Sequence, residues 1–270
     1  MSTHLIHYEA TAGTEPAAVL IHGMTCDGSD WYHQSAFCQN AGYRVITLDL
    51  RGHGQSMHLK DDYAMATMGA DVAALLRHLG VKSAITVGHS MGCRVATEAA
   101  LQAAEIVRGV ALVDGSRQAR GDPQAAVEAV RALIEQRGFK EHFSILFDNM
   151  FIASSDEEEK HRIIQRAITR PAEVAVPIIM GLLRWDAGQF DQRYSALNVP
   201  VHVIQSTHVN EAHERVAMTE TLAIPWHAEL QALVQEVHIE RVPDCGHFTL
   251  LDAPARVNAA LERLLQSVRE

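Results

Sequence analysis

The sequence lacks the features by which several classes of protein are recognised. It has only four cysteines in 270 residues, with no Cys-x-x-Cys pair, which is too few for a disulfide scaffold. Basic residues number 23 against 33 acidic ones, and the formal charge of -10 leaves no basic surface for nucleic acid. We therefore expect reduced, packed thiols and no nucleic-acid partner.

Long apolar runs are also missing. No stretch approaches the roughly 18 consecutive apolar residues of a membrane span. The opening "MSTHLIHYEA" lacks the basic and then apolar layout of a secretion signal. Because 47% of the residues are hydrophobic and 21% charged, we expect a soluble globular protein in the cytoplasm, with no membrane partner.

Strand-like and helix-like segments alternate along the chain. Apolar runs such as "VALVD" at 110–114 are typical of strands buried on both faces. The predicted strands are 17–21, 44–48, 84–87, 109–113, 201–205 and 237–242. The predicted helices are 29–40, 63–79, 91–104, 225–235 and 254–268. This alternation predicts an α/β fold with a mostly parallel, doubly wound sheet.

The strand signal disappears between residues 121 and 194. This segment has the pattern of several helices, with predicted breaks at Gly138, Pro171, Pro177 and Gly188. A helical insertion is the economical interpretation. The predicted organisation is a core of residues 1–120 and 195–270 around a helical insertion of residues 121–194.

The stretch "ITVGHSMGCRVA" at 85–96 places Ser90 between two glycines, where a predicted strand meets a predicted helix. Without Cβ atoms, Gly88 and Gly92 permit a tight turn that holds the serine at strained backbone angles with its hydroxyl exposed. A plain glycine-rich connection is the alternative. If Ser90 is a nucleophile, it needs a nearby base and a third group that orients the base.

Three further motifs occur in order along the chain. They are "VLIHGMTCDGSDW" at 19–31, "ITLDLRGHGQS" at 46–56 and "DCGHFTLLDAP" at 244–254. Together with "GHSMG" at 88–92, they resemble the α/β-hydrolase superfamily, specifically its capped serine-hydrolase members. The resemblance covers nearly the whole chain. It implies that Ser90 is the nucleophile and that residues 121–194 form the cap.

The predicted base is His247, whose short loop after the last predicted strand can bring the ring over the carboxyl ends of the strands. An oxyanion hole needs two N–H donors. The resemblance assigns them to the backbone of Met24 and Met91. Met91 also opens the helix after Ser90, whose dipole favours negative charge. A core methionine is the alternative interpretation of Met24.

The acid departs from the commonest pattern of the superfamily. Most members carry an aspartate about four residues after the strand that corresponds to "PVHVI", but Val209 stands there. Asp114 ends the preceding strand, a position at which some members carry the acid. We predict Asp114, with Glu211 as the main alternative and Asp244 as a more remote one. A strand-end aspartate that only caps the turn is the structural alternative.

The substrate pocket is predicted from apolar residues, mainly of the insertion. The expected substrate contacts are Trp31, Phe143, Phe147 and Trp185. Packing within the cap's own core is the alternative. No arginine cluster indicates a polyanionic ligand, although Arg94 and Arg184 are single candidates for a carboxylate. We therefore expect a medium-sized apolar or aromatic small molecule as substrate.

The leading hypothesis is a serine hydrolase that cleaves carboxylic esters or related acyl compounds through an acyl-enzyme. We expect no cofactor and no metal site, since His208 and His213 are off the usual metal-binding spacing. The scaffold also supports carbon-carbon bond hydrolysis and, where the acid follows the earlier strand, cofactor-free oxygenolysis of heteroaromatic rings. A non-catalytic receptor for a small apolar ligand is a third hypothesis. The long loop 206–225 is expected to border the pocket or form a subunit contact, which leaves a homodimer open.

Overall fold

The computed structural model describes residues 5–210 and 215–269, and its centre is a seven-stranded sheet. The strands of this sheet are β1 Tyr8–Ala10, β2 Thr14–Ile21, β3 Tyr43–Leu48, β4 Ala84–His89, β5 Val107–Val113, β6 Val201–Gln205 and β9 Val237–Arg241. Their order is β1-β3-β2-β4-β5-β6-β9, and every neighbouring pair is parallel except β1 with β3. The predicted α/β fold with a mostly parallel sheet is confirmed.

Helices flank the sheet. They are α1 Tyr32–Asn40, α2 Met65–His78, α3 Gly92–Gln102, α4 Pro123–Arg137, α5 Phe139–Asp148, α6 Glu157–Thr169, α7 Ala172–Gly188, α8 Phe190–Ser195, α9 Pro225–Leu233, α10 Thr249–Asp252 and α11 Pro254–Ser267. Helix α1 packs against α11, and α2 packs against α3. None of the helices in the described ranges is long and apolar enough to cross a membrane.

The central strands β2 and β4 consist mainly of apolar residues, which suits their buried position in the sheet. All six residues of β4 are buried, as are the last six of β2, because helices cover both faces of the sheet. These strands therefore need apolar side chains at successive positions rather than alternating ones. This is the pattern from which they were predicted.

Besides the short elements β1 and α10, which were not predicted, the structure departs from the predicted elements in two places. Loop 206–225 contains a small antiparallel sheet of β7 Thr207–Val209 and β8 Arg215–Ala217, so it is not an irregular connection. Pro177 lies inside α7 and does not break it. Nine residues of α7 are buried, and this packing outweighs the one backbone hydrogen bond that proline removes. Residues 121–194 otherwise hold helices α4 to α7 and most of α8, with no strand.

The turn between β4 and α3 is a tight, strained elbow. Ser90 has φ 55°, which is unusual for a residue with a side chain. A Cβ at Gly88 would lie 2.1 Å from the carbonyl oxygen of Gly92. A Cβ at Gly92 would lie 2.4 Å from the carbonyl oxygen of Ile21. Both glycines are therefore required by close backbone contact.

This contact predicts a selective cost for a methyl group at the elbow. Gly92→Ala should lower the free energy of unfolding by about 2 kcal/mol or more, because a backbone carbonyl cannot move aside easily. Urea denaturation measures the change. The control is Gly188→Ala at the exposed end of α7, where a Cβ would meet only the side chain of Pro123, with Cγ at 3.1 Å, so the free energy of unfolding should change much less than for Gly92→Ala. Equal effects of the two substitutions would contradict this interpretation.

Candidate active site

Asp114 and His247 are in direct contact beneath the carboxyl ends of the strands. Asp114 directly follows β5 and is completely buried. His247 Nδ1 donates a hydrogen bond to Asp114 Oδ2 at 2.5 Å. Ser90 follows the adjacent strand β4 and lines the same cavity as His247. The structure therefore brings the predicted nucleophile, base and acid to one place.

The alternatives for the acid do not share this contact. Asp244 is exposed. Glu211 lies outside the described residues, as does His213. Val209, at the superfamily's commoner position for the acid, is 42% exposed in β7. Asp114 is thus the only carboxylate bonded to His247 within residues 5–210 and 215–269.

The Asp114 carboxylate accepts several more hydrogen bonds from the segment after β6. Oδ1 accepts from the backbone N–H of Ser206 at 2.8 Å and of Thr207 at 2.7 Å, and from Gln205 Nε2 at 2.9 Å. Oδ2 also accepts from the Thr207 hydroxyl. Sequence reasoning missed this segment, since "QST" carries no recognisable motif.

The surroundings decide the charge of both partners. Burial raises the pKa of Asp114. The hydrogen bond and charge of His247, followed by the charge of Arg215, lower the pKa by more than burial raises it, so it lies below its ordinary value. Burial lowers the pKa of His247, as does Arg215, and the bond to Asp114 only partly offsets this. At neutral pH Asp114 is ionised and the His247 ring is neutral.

One ring nitrogen of His247 is left to accept a proton. Because Nδ1 donates to Asp114, the acceptor nitrogen of the neutral ring is Nε2. Nε2 is buried and has no hydrogen-bond partner among the described residues. The described residues therefore show no hydrogen bond between His247 Nε2 and Ser90 Oγ. Hydrogen bonds between catalytic groups are often long in structures without substrate and shorten when substrate binds.

The loop of His247 is held by the nucleophile turn and by the helical segment. His89 Nε2 donates to the backbone carbonyl of His247 at 2.9 Å. The backbone N–H of His247 donates to the carbonyl of Met150 at 2.8 Å. Ser155 Oγ donates to Asp252 Oδ2 at 3.0 Å, and this oxygen also accepts from the N–H of Gly246. Residues of the segment 121–194 therefore help to place the imidazole.

The predicted oxyanion donors lie on either side of Ser90. Met24 lines the cavity, and Met91 opens α3. Within the described ranges, neither backbone N–H has an acceptor in the protein. The loop of Met24 is braced by His53, whose Nε2 accepts from the N–H of Thr25 at 3.2 Å. The motif at 46–56 thus supports the loop rather than the cavity.

The cavity between Ser90 and the helical segment is small, about 30 Å³. Its apolar walls are formed by Met24, Cys26, Leu146, Phe147, Met150, Ile179, Leu182 and Phe248. Gln118 is an exposed polar residue at the same cavity. Among the described residues, the ionisable side chains that line it are those of His89, His247 and Cys26, whose thiol is neutral.

Of the four predicted substrate contacts, Phe147 lines this cavity and the other three do not. Trp31 is completely buried and packs edge-on against His89. Phe143 packs between Phe139 and Phe147 within α5. Trp185 is bonded through Nε1 to Glu98 Oε1 at 2.7 Å. These side chains are committed to packing, which the sequence pattern could not separate from pocket lining.

Arg94 is not available to a substrate carboxylate, contrary to expectation, because Asp186 of α7 occupies its guanidinium. The contacts are Nε to Oδ1 at 2.9 Å and Nη2 to Oδ2 at 2.7 Å, with both side chains buried. Arg94 Nη1 also donates to the carbonyl of Ser90 at 2.9 Å. This ion pair ties the elbow to α7. Arg184 is exposed.

The buried pair predicts a large loss of stability when it is broken. Asp186→Asn should lower the free energy of unfolding by about 3 kcal/mol or more, because the Arg94 charge stays buried without its counter-ion. The control is Asp191→Asn, whose carboxylate is 65% exposed beside Arg117 and should matter by less than about 1 kcal/mol. Urea denaturation of both variants measures the difference. A small loss for Asp186→Asn would contradict the interpretation.

Comparison with known families agrees with this geometry. Residues 16–254 match the family model described as alpha/beta hydrolase fold. The chain belongs to this family, and the resemblance to the α/β-hydrolase superfamily inferred from the four motifs is confirmed. Membership of this family, together with the enzymes among the relatives, supports the conclusion that the protein is a hydrolase.

Individual relatives carry different names. The chain is 27% identical over 276 aligned positions to the sn-1-specific diacylglycerol lipase of Mus musculus, covering 94% of this chain and 81% of that one. It is 37% identical over 112 residues to a non-heme chloroperoxidase of Streptomyces lividans, covering 42% of this chain but only 37% of the relative. Among solved structures, a thermophilic esterase from Thermogutta terrifontis matches with TM-score 0.76 and 26% identity, over 98% and 94% of the two chains.

Proposed function

We propose that this protein is a serine hydrolase that cleaves carboxylic esters or related acyl compounds. The observation that carries the proposal is the His247 ring, which donates through Nδ1 to Asp114 and leaves Nε2 unpartnered near Ser90. The relatives named as a lipase and an esterase favour the same reaction. The proposed core is 1–120 with 195–270, and 121–194 is the proposed cap.

The reaction proceeds through an acyl-enzyme. Ser90 Oγ attacks the ester carbonyl carbon while His247 Nε2 takes its proton, and the N–H groups of Met24 and Met91 stabilise the oxyanion. The imidazolium then gives this proton to the departing alcohol. Next, His247 takes a proton from water, which attacks the acyl carbon. Release of the acid returns the proton to Ser90. Asp114 stays ionised and holds the imidazole orientation throughout.

The cavity walls support an uncharged, apolar substrate group next to Ser90. The cavity of about 30 Å³ leaves little free space beside Ser90, so a bound acyl group must be small or must displace side chains of the walls. A medium-sized apolar or aromatic ester therefore requires side chains such as Leu146 and Phe147 to move apart. We propose short-chain esters with an apolar or aromatic alcohol as the first class to test, with no cofactor.

The nucleophile is tested with a fluorophosphonate probe and short-chain aryl esters. The probe should form a single adduct on the peptide that contains Ser90, because this is the one serine among the described residues that lines the cavity with His247. Ser90→Ala should abolish both the adduct and ester turnover. Mass spectrometry and a chromogenic ester assay give the two readouts. Folded wild-type protein that forms no adduct would remove the proposed function.

The acid is tested by a pair of amide substitutions. Asp114→Asn should lower kcat/KM by at least about 10²-fold, or roughly 2.7 kcal/mol in the barrier, because an amide cannot hold the required tautomer. Glu211→Gln is the matched control and should cost little. Circular dichroism checks that both variants fold. If Glu211→Gln is the crippled enzyme, the acid has been assigned wrongly.

A cofactor-free oxygenase is the second candidate, and the placement of the acid on Asp114 favours it. In that reaction His247 and Asp114 remove a substrate proton, and Ser90 only positions the ligand. Oxygen uptake with a hydroxyquinolone that survives Ser90→Ala would support this candidate. Ester turnover that Ser90→Ala abolishes would support the hydrolase. Carbon-carbon bond hydrolysis is tested by adding diketones to the substrate panel, and tight binding without turnover of any compound would indicate a receptor.

A further inference from the structure

A positively charged side chain, in addition to the neutral His247, lies beside the carboxylate of Asp114. Arg215 lies in β8, opposite Val209 of β7, and its side chain is only 7% exposed. Its Nη1 lies 3.4 Å from Asp114 Oδ2 and donates to Thr207 Oγ1 at 2.7 Å. The β7–β8 hairpin therefore places a buried cation beside the proposed catalytic acid.

The carboxylate does not need this arginine to satisfy its hydrogen-bonding capacity. A carboxylate offers about four acceptor positions. Asp114 already accepts from Gln205, from Ser206, twice from Thr207 and from His247. A buried guanidinium is also costly to desolvate. The contribution of Arg215 at this site is therefore its charge, which acts on every titratable group nearby.

The nearest such group besides Asp114 is the imidazole of His247. Both His247 Nδ1 and Arg215 Nη1 contact Asp114 Oδ2, so these nitrogens are no further apart than about 6 Å. In the described part of the chain, the other ionisable ring packed against His247 is His89, which burial keeps neutral by lowering its pKa to about 4. Arg215 is thus the permanent positive charge among the described residues that opposes protonation of His247.

We propose that Arg215 is a positioning residue that holds the Asp114 carboxylate ionised and keeps His247 neutral, so that the base remains competent at acidic pH. The inference rests on the proposed hydrolase, in which His247 must be neutral to take the proton of Ser90. It goes beyond that proposal because a charge on the β7–β8 hairpin then adds to burial in setting the acidic limit of activity. The sign follows from charge, since an adjacent cation disfavours imidazolium.

The direct test is the titration of His247 by NMR, with its ring signals assigned by comparison with His247→Gln. In the wild-type protein the ring should titrate below the ordinary value of 6.5. Arg215→Met should raise the titration midpoint by about one pH unit, as expected for loss of a charge within about 6 Å. Arg215→Lys keeps the positive charge, so its titration midpoint should stay close to that of the wild-type protein.

The control is Arg263→Met, which removes the same charge at a side chain 49% exposed and paired with Glu240 on β9. It should leave the titration of His247 unchanged. In the ester assay, the acidic limb of kcat/KM for Arg215→Met should move to higher pH by the same unit, which is a tenfold loss on that limb. The plateau at higher pH should change less than the limb.

The possible results separate this inference from the proposed function. A wild-type His247 that titrates at or above 6.5 would overturn the role of Arg215, and this measurement needs no variant to fold. An unshifted midpoint in folded Arg215→Met would overturn it as well, even in an enzyme that hydrolyses esters. Conversely, failure of Ser90 labelling with the predicted NMR shift intact would overturn the hydrolase and leave the electrostatic role of Arg215 standing.

Discussion

The hydrogen bond between Asp114 and His247 is the interaction on which the rest of the site depends. It selects the ring tautomer, because a nitrogen that donates to a carboxylate leaves the other nitrogen as acceptor. Burial makes this arrangement demanding, since an isolated carboxylate would be strongly destabilised there. The backbone N–H groups of Ser206 and Thr207 meet that demand. The backbone after β6 is therefore arranged to donate hydrogen bonds to the ionised carboxylate of Asp114.

The helical segment 121–194 takes part in the same network and does more than cover the cavity. The Met150 carbonyl binds the N–H of His247, and Asp186 holds the arginine that binds the Ser90 carbonyl. Phe147 and Leu146 form part of the cavity wall. A displacement of this segment would affect the positions of the proposed nucleophile and the proposed base together, because a few buried polar contacts connect it to both.

The β7–β8 hairpin occupies the stretch where most family members are expected to carry the acid. Val209 stands at that place, and the hairpin instead supplies Thr207 and Arg215 to Asp114. The proposed acid, Asp114, stands one strand earlier, and the later strand end provides hydrogen-bond donors and a positive charge. This placement affects the electrostatics of the proposed base as well as the position of the carboxylate.

The local sequence determined the fold class, the order of most strands and helices, and the elbow, and it predicted the partners of Ser90. Continuous apolar runs mark buried parallel strands, and glycines mark close backbone approach, so these features are local in the chain. The elements missed were short: β1 has three residues, and the hairpin strands have three each. So short a strand has too few residues to show a period.

Only the tertiary structure decided which charged and aromatic residues meet. The Arg94–Asp186 pair joins residues 92 positions apart, and the Asp114–His247 pair joins residues 133 positions apart. From sequence, Arg94 was a candidate for substrate binding, and Trp31, Phe143 and Trp185 for the pocket wall. A buried aromatic side chain has the same composition signal whether it faces a cavity or a neighbouring helix. That distinction depends on packing between distant segments, which no local pattern contains.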